Sequence, residues 1–398
     1  MTEAVIVATA RTPIGRAKKG SLVGLRADDL SALIIETVLK KLPDLDPLAI
    51  EDVIWGCGQP AGESGYNLAR VAAVLAGLVD VPGVTVNRYC SSSLMAIRIA
   101  AHAVRSGEGD VFIAGGAETV SRFRQGLADD GPQNPQFDEA MKRASEMPAG
   151  TPWEPGDGLP ALYLDMLRTA ENVAAFKRVS RQAQDEFAAR SQQLAVANQL
   201  NGFWGAELTA VPLGDGTTMT KDDGPRPGTT VERLAGLTPV RPGGSVTAGN
   251  ACPLNDGAAA VVVMSDRQAA ELGLTPLARI VSSAVSALNP EIMGLGPVQA
   301  TSRALARAGL SVSDIDLFEI NEAFAAQVLP SAEELAIPLD KLNVKGGAIA
   351  LGHPYGMTGA RIMTTLIHAL QADDKTWGVE TMCVGGGQGM AMVIERLS

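Results

Sequence analysis

Long apolar runs are missing from this 398-residue chain, and so are a basic charge balance and a cysteine framework. No stretch of ~18 apolar residues is present that could span a bilayer. The start, MTEAVIVATARTPIGR, puts an acidic residue ahead of a short apolar run, unlike the basic front of a signal peptide. A formal net charge of −11 excludes a general nucleic-acid or anionic-membrane binder, so any phosphate-bearing ligand has to be met by a local cationic patch. The four cysteines, Cys57, Cys90, Cys252 and Cys383, are too scattered for a disulfide scaffold and none are paired at metal-finger spacing, which predicts free thiols. With three histidines and no pair of them at ligand spacing, no metal site is expected. What remains is a soluble, cytoplasmic globular protein whose 46% apolar residues suffice for a sizeable core.

Strand-like apolar runs (AVIVATA, VIWGC, VFIAGGAE) alternate with amphipathic stretches (ADDLSALIIETVLKKL, SSLMAIRIAAHAVRSG), the βαβ rhythm of a layered α/β fold. The second half repeats it. LARIVSSAVSA answers AVIVATARTPI, and GMTGARIMTTLIHAL followed by GVETMCVGGGQG answers SSSLMAIRIAAHAVRSG followed by GDVFIAGGAE, at an offset of about 260 to 270 residues. The pattern predicts two similar halves, residues 1–121 with 254–275 and residues 276–398. Between them, residues 122–253 break the rhythm with Pro, Gly and charge around a helix at SRQAQDEFAARSQQLAVANQ, as expected of a loop domain laid over the core. The run DGAAAVVVMS then returns to complete the first half's sheet.

If VTVNR ends a strand and SSLMAIRIAAHAV is a helix, Cys90 lies at the strand-to-helix turn. A helix N-terminus favours a thiolate there, and Ser91 to Ser93 can cap the helix. His353 stands 263 positions later, in GHPYG, again just before a helix. Pseudo-symmetry brings the two turns to a shared centre, where a thiol and an imidazole supply a nucleophile and its base. His102 and His368 fall inside amphipathic helices and are expected to be structural or merely exposed. The run TMCVGGGQGM lacks both the lysine of a phosphate loop and a GxGxxG between strand and helix, so Cys383 reads as a second catalytic thiol rather than part of a nucleotide site.

NRYCSSS, NEAF (Asn321–Phe324), GGAIALGHPYGMTG and CVGGGQG together resemble the thiolase family over essentially the whole chain. The resemblance implies two βαβαβαββ halves in a five-layer αβαβα core, an inserted loop domain that binds coenzyme A, and a homodimer or homotetramer. It implies acyl-CoA and CoA as substrates, with no cofactor and no metal. Cys90 matches the acylated nucleophile, His353 its base, and Cys383 the thiol that moves the proton at the substrate's α-carbon. Asn321 is similar to the residue that, through a water and with His353, meets the enolate oxygen. The backbone N–H groups of Cys90 and Gly385 match the second oxyanion site. Arg226 in GPRPGTT matches an arginine at the adenine and phosphate end of CoA. Met166, Met293 and Phe324 match residues lining the pantetheine and acyl region, and Ala248 matches a further CoA contact.

Several positions depart from the best-known biosynthetic thiolases. Cys252 stands where they have a serine bonding the pantetheine, and Asp165 where they have a histidine near CoA. Lys345 replaces an asparagine, and Leu167 and Arg168 replace a small pair, which predicts an altered pocket wall. These departures, with NRYCSSSL, ETVSRF and ETMCVGGGQGMAMVIERLS, lean toward degradative 3-ketoacyl-CoA thiolases of actinobacterial fatty-acid or sterol side-chain breakdown, with an acetyl-CoA acetyltransferase as the alternative. A ketoacyl synthase of the same fold would pair its cysteine with two histidines, against which Cys383 speaks. A binding module that lost catalysis would not need all four catalytic positions.

Overall fold

The computed structural model describes residues 2–398. Besides three two-residue strands, Gly15–Arg16, Val211–Pro212 and Thr218–Met219, nine longer strands build its sheets: β1 (Ala4–Arg11), β2 (Asp52–Gly56), β3 (Gly83–Val86), β4 (Val111–Thr119), β5 (Asn255–Ser265), β6 (Ala278–Ala287), β7 (Leu317–Ile320), β8 (Trp377–Val384) and β9 (Gln388–Arg396). In the N-terminal half the order is β3-β2-β4-β5-β1, with β2 parallel to β3 and β4, and β5 antiparallel to β4 and β1. The C-terminal half runs β7-β8-β9-β6 with the same mixture of directions. Beyond β7 its counterpart of β3 is reduced to one parallel bridge between Phe318 and Leu342. The returning run DGAAAVVVMS lies in β5 and completes the first half's sheet, seated between β1 and β4.

Period-2 alternation sorts each strand's side chains onto two faces. On β5, Ala259, Val261 and Val263 point into a central core, while Ala258, Ala260, Val262 and Met264 point into an outer one. The central core is filled by α3 (Ser92–Ser106) and a C-terminal helix (Thr358–Ala372), which pack on each other between the sheets. α1 (Ala27–Lys40) and α2 (Leu68–Leu75) cover the outer face of the first sheet, and the helices Gly296–Ala308 and Ala325–Glu334 cover that of the second. That gives five layers. Each large aliphatic side chain buried in them stabilises the fold by about 1.5–3 kcal/mol. The two sheets are also stitched edge to edge, through Val5 with Arg279 and Ile6 with Ala278.

The segment between β4 and β5 carries the helices Met166–Phe176 and Arg181–Leu200, the latter capped by Ser180, whose hydroxyl accepts from the Ala183 N–H at 3.1 Å. A buried charge cluster ties this segment to the core. Arg11, at the end of β1, donates to Glu207 at 2.6 Å and to both carboxylate oxygens of Asp222 at 2.8 and 3.1 Å.

At the centre, the N-termini of α3 and the helix Thr358–Ala372 (α4 below) touch. A side chain on Gly359 would come 2.4 Å from the Leu94 nitrogen, and the Ala360 N–H donates to Ser93 Oγ at 2.9 Å. That contact brings the Cys90 turn to the His353 turn.

Candidate active site

Cys90 sits in a short 3₁₀ turn, Tyr89–Ser91, between β3 and α3. Tyr89 holds a left-handed φ of 43°, unfavourable for an aromatic residue, and the Asn87 side chain fixes it by accepting from the Tyr89 N–H at 2.8 Å. None of the serines caps α3 through its hydroxyl. Ser91 donates to the Arg88 carbonyl, Ser92 to the Tyr89 carbonyl, and Ser93 instead accepts from α4. Cys90 opens onto a cleft of about 630 Å³, together with Met166, Tyr355 and Gly385.

The thiolate expected at this helix N-terminus is opposed by burial. Burial pushes the Cys90 thiol up to about 11, and the backbone N–H groups of Gly385 and of Cys90 itself offset only part of that. Burial acts on His353 in the opposite sense, lowering it to about 3 with help from the positive charge of Arg361. Burial thus favours the neutral form of each side chain, thiol and imidazole.

The imidazole's tautomer follows from its neighbours. The Thr358 hydroxyl gives its only proton to the Pro354 carbonyl at 2.7 Å, so towards His353 Nδ1, 2.6 Å away, it can only accept. The proton is on Nδ1, and Nε2 keeps its lone pair, 3.4 Å from Asn321 Nδ2. The His353 N–H donates to Asn255 Oδ1 on β5, which anchors the turn across the two halves. Asn321 is held by its own N–H to the Thr381 carbonyl and by Gln327 to its carbonyl, and its Oδ1 is buried with no protein partner. Cys383, fully buried at the end of β8, is pushed well above the usual thiol range by burial, then by the charges of Cys90 and Cys252. Among the described residues no group of three or more His, Cys, Asp or Glu could hold a metal.

Comparison with known proteins decides the family. Residues 4–267 match the model described as "Thiolase, N-terminal domain", and residues 274–396 match "Thiolase, C-terminal domain". The chain belongs to the thiolase family. It is 46% identical to the beta-ketoadipyl-CoA thiolase of Escherichia coli and 45% identical to the 3-ketoacyl-CoA thiolase of Aeromonas hydrophila, each over the whole of both chains. The crystal structure of the Bacillus anthracis acetyl-CoA acetyltransferase superposes with a TM-score of 0.86 at 37% identity, covering 100% of this chain and 99% of that one.

The remaining candidates divide by place. In this thiolase Met293, Phe324 and Cys383 share one buried apolar cluster with Leu167 at its edge, and Cys383 lies near enough to Cys90 for the two to interact electrostatically. Cys252 lies close by, its N–H donating to the Ala323 carbonyl and its thiol raised by burial and by Cys90. Arg226 and Ala248 are on the surface, outside the cleft lining, and Arg226 stands near enough to Arg16 to feel its charge. Three of the departing positions are accounted for away from the pocket wall. Asp165 caps a helix by accepting from the Arg168 N–H at 3.0 Å and pairs with Arg241, and Arg168 turns to the Met147 carbonyl. Lys345 pairs with Asp373 at 2.7 Å over the ring of Phe203.

Sequence reading missed Thr358, Asn255 and Glu118. Thr358 had a signal, standing five residues after His353 in the same motif, where a helical start puts it under the ring. Glu118 lies in an apolar strand, a placement that makes sense only if it has partners. Its carboxylate accepts from the N–H groups of Gly58 at 2.7 Å and Gln59 at 3.2 Å on one half, and of Gly356 at 2.9 Å on the other.

Proposed function

We propose that this thiolase cleaves a 3-ketoacyl-CoA with CoA, giving acetyl-CoA and a shortened acyl-CoA by way of an acyl-Cys90 intermediate. What supports the reading is a cleft-facing thiol, bonded by the Gly385 N–H, on a turn whose helix packs at its N-terminus against the helix that follows His353, where a buried imidazole keeps an Nε2 lone pair 3.4 Å from Asn321 Nδ2. As Cys90 sulfur attacks the C3 carbonyl carbon, its proton passes to His353 Nε2, and the N–H groups of Cys90 and Gly385 meet the oxyanion that forms. The C2–C3 bond breaks and its electron pair becomes the enolate of acetyl-CoA. Cys383, held protonated by burial, gives its proton to C2. The incoming CoA thiol then loses its proton to Cys383 and attacks the acyl-Cys90 carbonyl, and Cys90 leaves and recovers its proton from His353. A buried, unpartnered Asn321 Oδ1 beside His353 supports the water that would receive the enolate oxygen. Each oxyanion donor supplies typically ~3 kcal/mol.

Arg226 with Arg16 supplies the local positive charge that a CoA phosphate needs on a chain of this net charge. CoA is a substrate here, and the chemistry requires no further cofactor. The degradative direction, as in fatty-acid β-oxidation, is our reading; acetoacetyl-CoA formation by an acetyl-CoA acetyltransferase is the second, favoured by the Bacillus anthracis neighbour. The open edge of β3, flanked by exposed Tyr66, Val74, Leu75, Val79 and Val84, supports a homodimer or homotetramer. No described helix is long and apolar enough to cross a membrane, which fits a cytoplasmic enzyme.

The test is CoA-dependent loss of the Mg²⁺–enolate absorbance of 3-ketoacyl-CoA substrates, with Cys90→Ala as control. Turnover of a longer chain faster than acetoacetyl-CoA is expected. Strict preference for acetoacetyl-CoA would favour the acetyltransferase reading, and no Cys90-dependent turnover of either would point to a binding module or to a bulkier substrate.

A further inference from the structure

The cleft at Cys90 carries more polar chemistry than an aliphatic chain needs. Its walls include Leu162, Leu164 and Met166, but also Tyr89, Tyr163, Gln59, Gln133, Gln388 and one ionisable side chain besides the tyrosines and Cys90, Asp129. That ionisable group is negative. No arginine, lysine or histidine is in the lining. Two neighbouring arginines are committed elsewhere: Arg88 donates to Gln388 Oε1 at 2.7 Å, and Arg122 is bound to Glu63.

Asp129 is exposed, but it is not loosely placed. Gln59 Nε2 donates to its carboxylate at 2.5 Å, while Gln59 Oε1 accepts from the N–H groups of Ala128 at 2.9 Å and Asp129 at 3.2 Å. It also reaches the Tyr89 hydroxyl, whose ionisation is pushed up by burial and then by the Asp129 charge. A carboxylate is thus fixed beside the residue that precedes the nucleophile.

Resting on the thiolase reading above, we propose that Asp129 is a specificity determinant, selecting uncharged acyl chains and rejecting those that end in a carboxylate. A six-carbon dicarboxylyl chain bonded to Cys90 through C3 carries its terminal carboxylate only three carbons further, into the region that Asp129 and the neutral amides and hydroxyls define. It would meet a like charge and find no cation to offset its lost hydration. A methyl-ended chain of the same length brings no charge to that region and can rest on Leu162, Leu164 and Met166 of the same lining. Substrate choice in this chain therefore differs from that named for the Escherichia coli beta-ketoadipyl-CoA thiolase, despite 46% identity.

The matched pair 3-oxohexanoyl-CoA and 3-oxoadipyl-CoA differ only in the terminal group. With full-length enzyme, kcat/KM for 3-oxohexanoyl-CoA is expected to exceed that for 3-oxoadipyl-CoA by roughly tenfold or more at low salt, with the gap narrowing as salt rises. Asp129→Asn, which keeps the shape, should shrink the ratio severalfold, and Asp129→Lys should bring it to parity or invert it. Turnover of 3-oxohexanoyl-CoA by both variants checks that they fold. Parity or preference for the dicarboxylyl substrate in the unmodified enzyme, or a ratio that neither substitution moves, would overturn this proposal alone. Absence of Cys90-dependent cleavage of either substrate would overturn it together with the thiolase reading.

Discussion

The turn that carries Cys90 and the turn that carries His353 occupy equivalent places in two halves of the same strand order, yet they are built differently. The first follows a complete strand, β3, and leaves its thiol facing the cleft beside a left-handed Tyr89. The second follows a single bridge at Leu342, and from there Asn343 leads through Gly346, a short helix at Ala348–Leu351 and Gly352 to a histidine 2% exposed. Gly352 has φ of 117°, which any side chain would strain. One half keeps regular structure and presents a nucleophile; the other gives up a strand and buries a base. Burial raises the one group and lowers the other, so both are driven to their neutral forms. Under the proposed mechanism the proton would then move during attack, not before it.

Removing the base should break the comparison most. His353→Ala leaves a thiol near 11 with nothing to take its proton, and kcat should fall by roughly 10²–10⁴. Trapping of acyl-Cys90 by mass spectrometry after brief mixing with substrate should fall in step. A variant that still acylates at an unchanged rate would show that Cys90 is activated by its backbone N–H bonds alone.

A smaller effect is expected from the group that sets the ring's tautomer. Thr358→Val keeps the shape of the side chain and removes the acceptor for Nδ1–H, so part of the population moves its proton to Nε2 and loses the lone pair that faces the reaction. We expect kcat to drop roughly tenfold with KM for CoA little changed, and Thr358→Ser to restore it. Equal loss in the serine and valine variants would mean that packing, not the hydrogen bond, matters at this position.

Much of this arrangement was legible in the residues. The repeated apolar rhythm placed Cys90 and His353 at matching turns because strand and helix periods survive in composition, and the apolar run of β5 read as a strand of the first half, though its seat between β1 and β4 could not be read. The protonation states were not legible, since a helix N-terminus argues for a thiolate, whereas the opposing burial comes from chain distant in sequence. The partners of Asp165 and Lys345 were not legible either, because Arg241 and Asp373 are 76 and 28 residues away. Glu118 was passed over because a single acidic residue inside VFIAGGAE reads as the strand's end.

That same Glu118 is the group through which the two halves can be compared by stability. It accepts from Gly58 and Gln59 in one half and from Gly356, three residues after the base, in the other. Burial, despite these bonds, raises its carboxyl to about 7 from 4.5. A raised carboxyl favours folding in its protonated form, so the contribution is complete below about pH 4.5 and is lost as pH rises through 7. A shift of that size corresponds to about 3 kcal/mol. Glu118→Gln cannot titrate and resembles the protonated acid, keeping one oxygen for Gly58 and Gly356 while giving up the bond from Gln59. Chemical denaturation at pH 5 and pH 8 should therefore find the variant close to the unmodified enzyme in acid and relatively more stable in base, with the difference between the two proteins moving by up to about 3 kcal/mol. Parallel stability profiles at the two pH values would mean that Glu118 is ionised throughout, and that its three N–H bonds outweigh its burial in holding the two turns together.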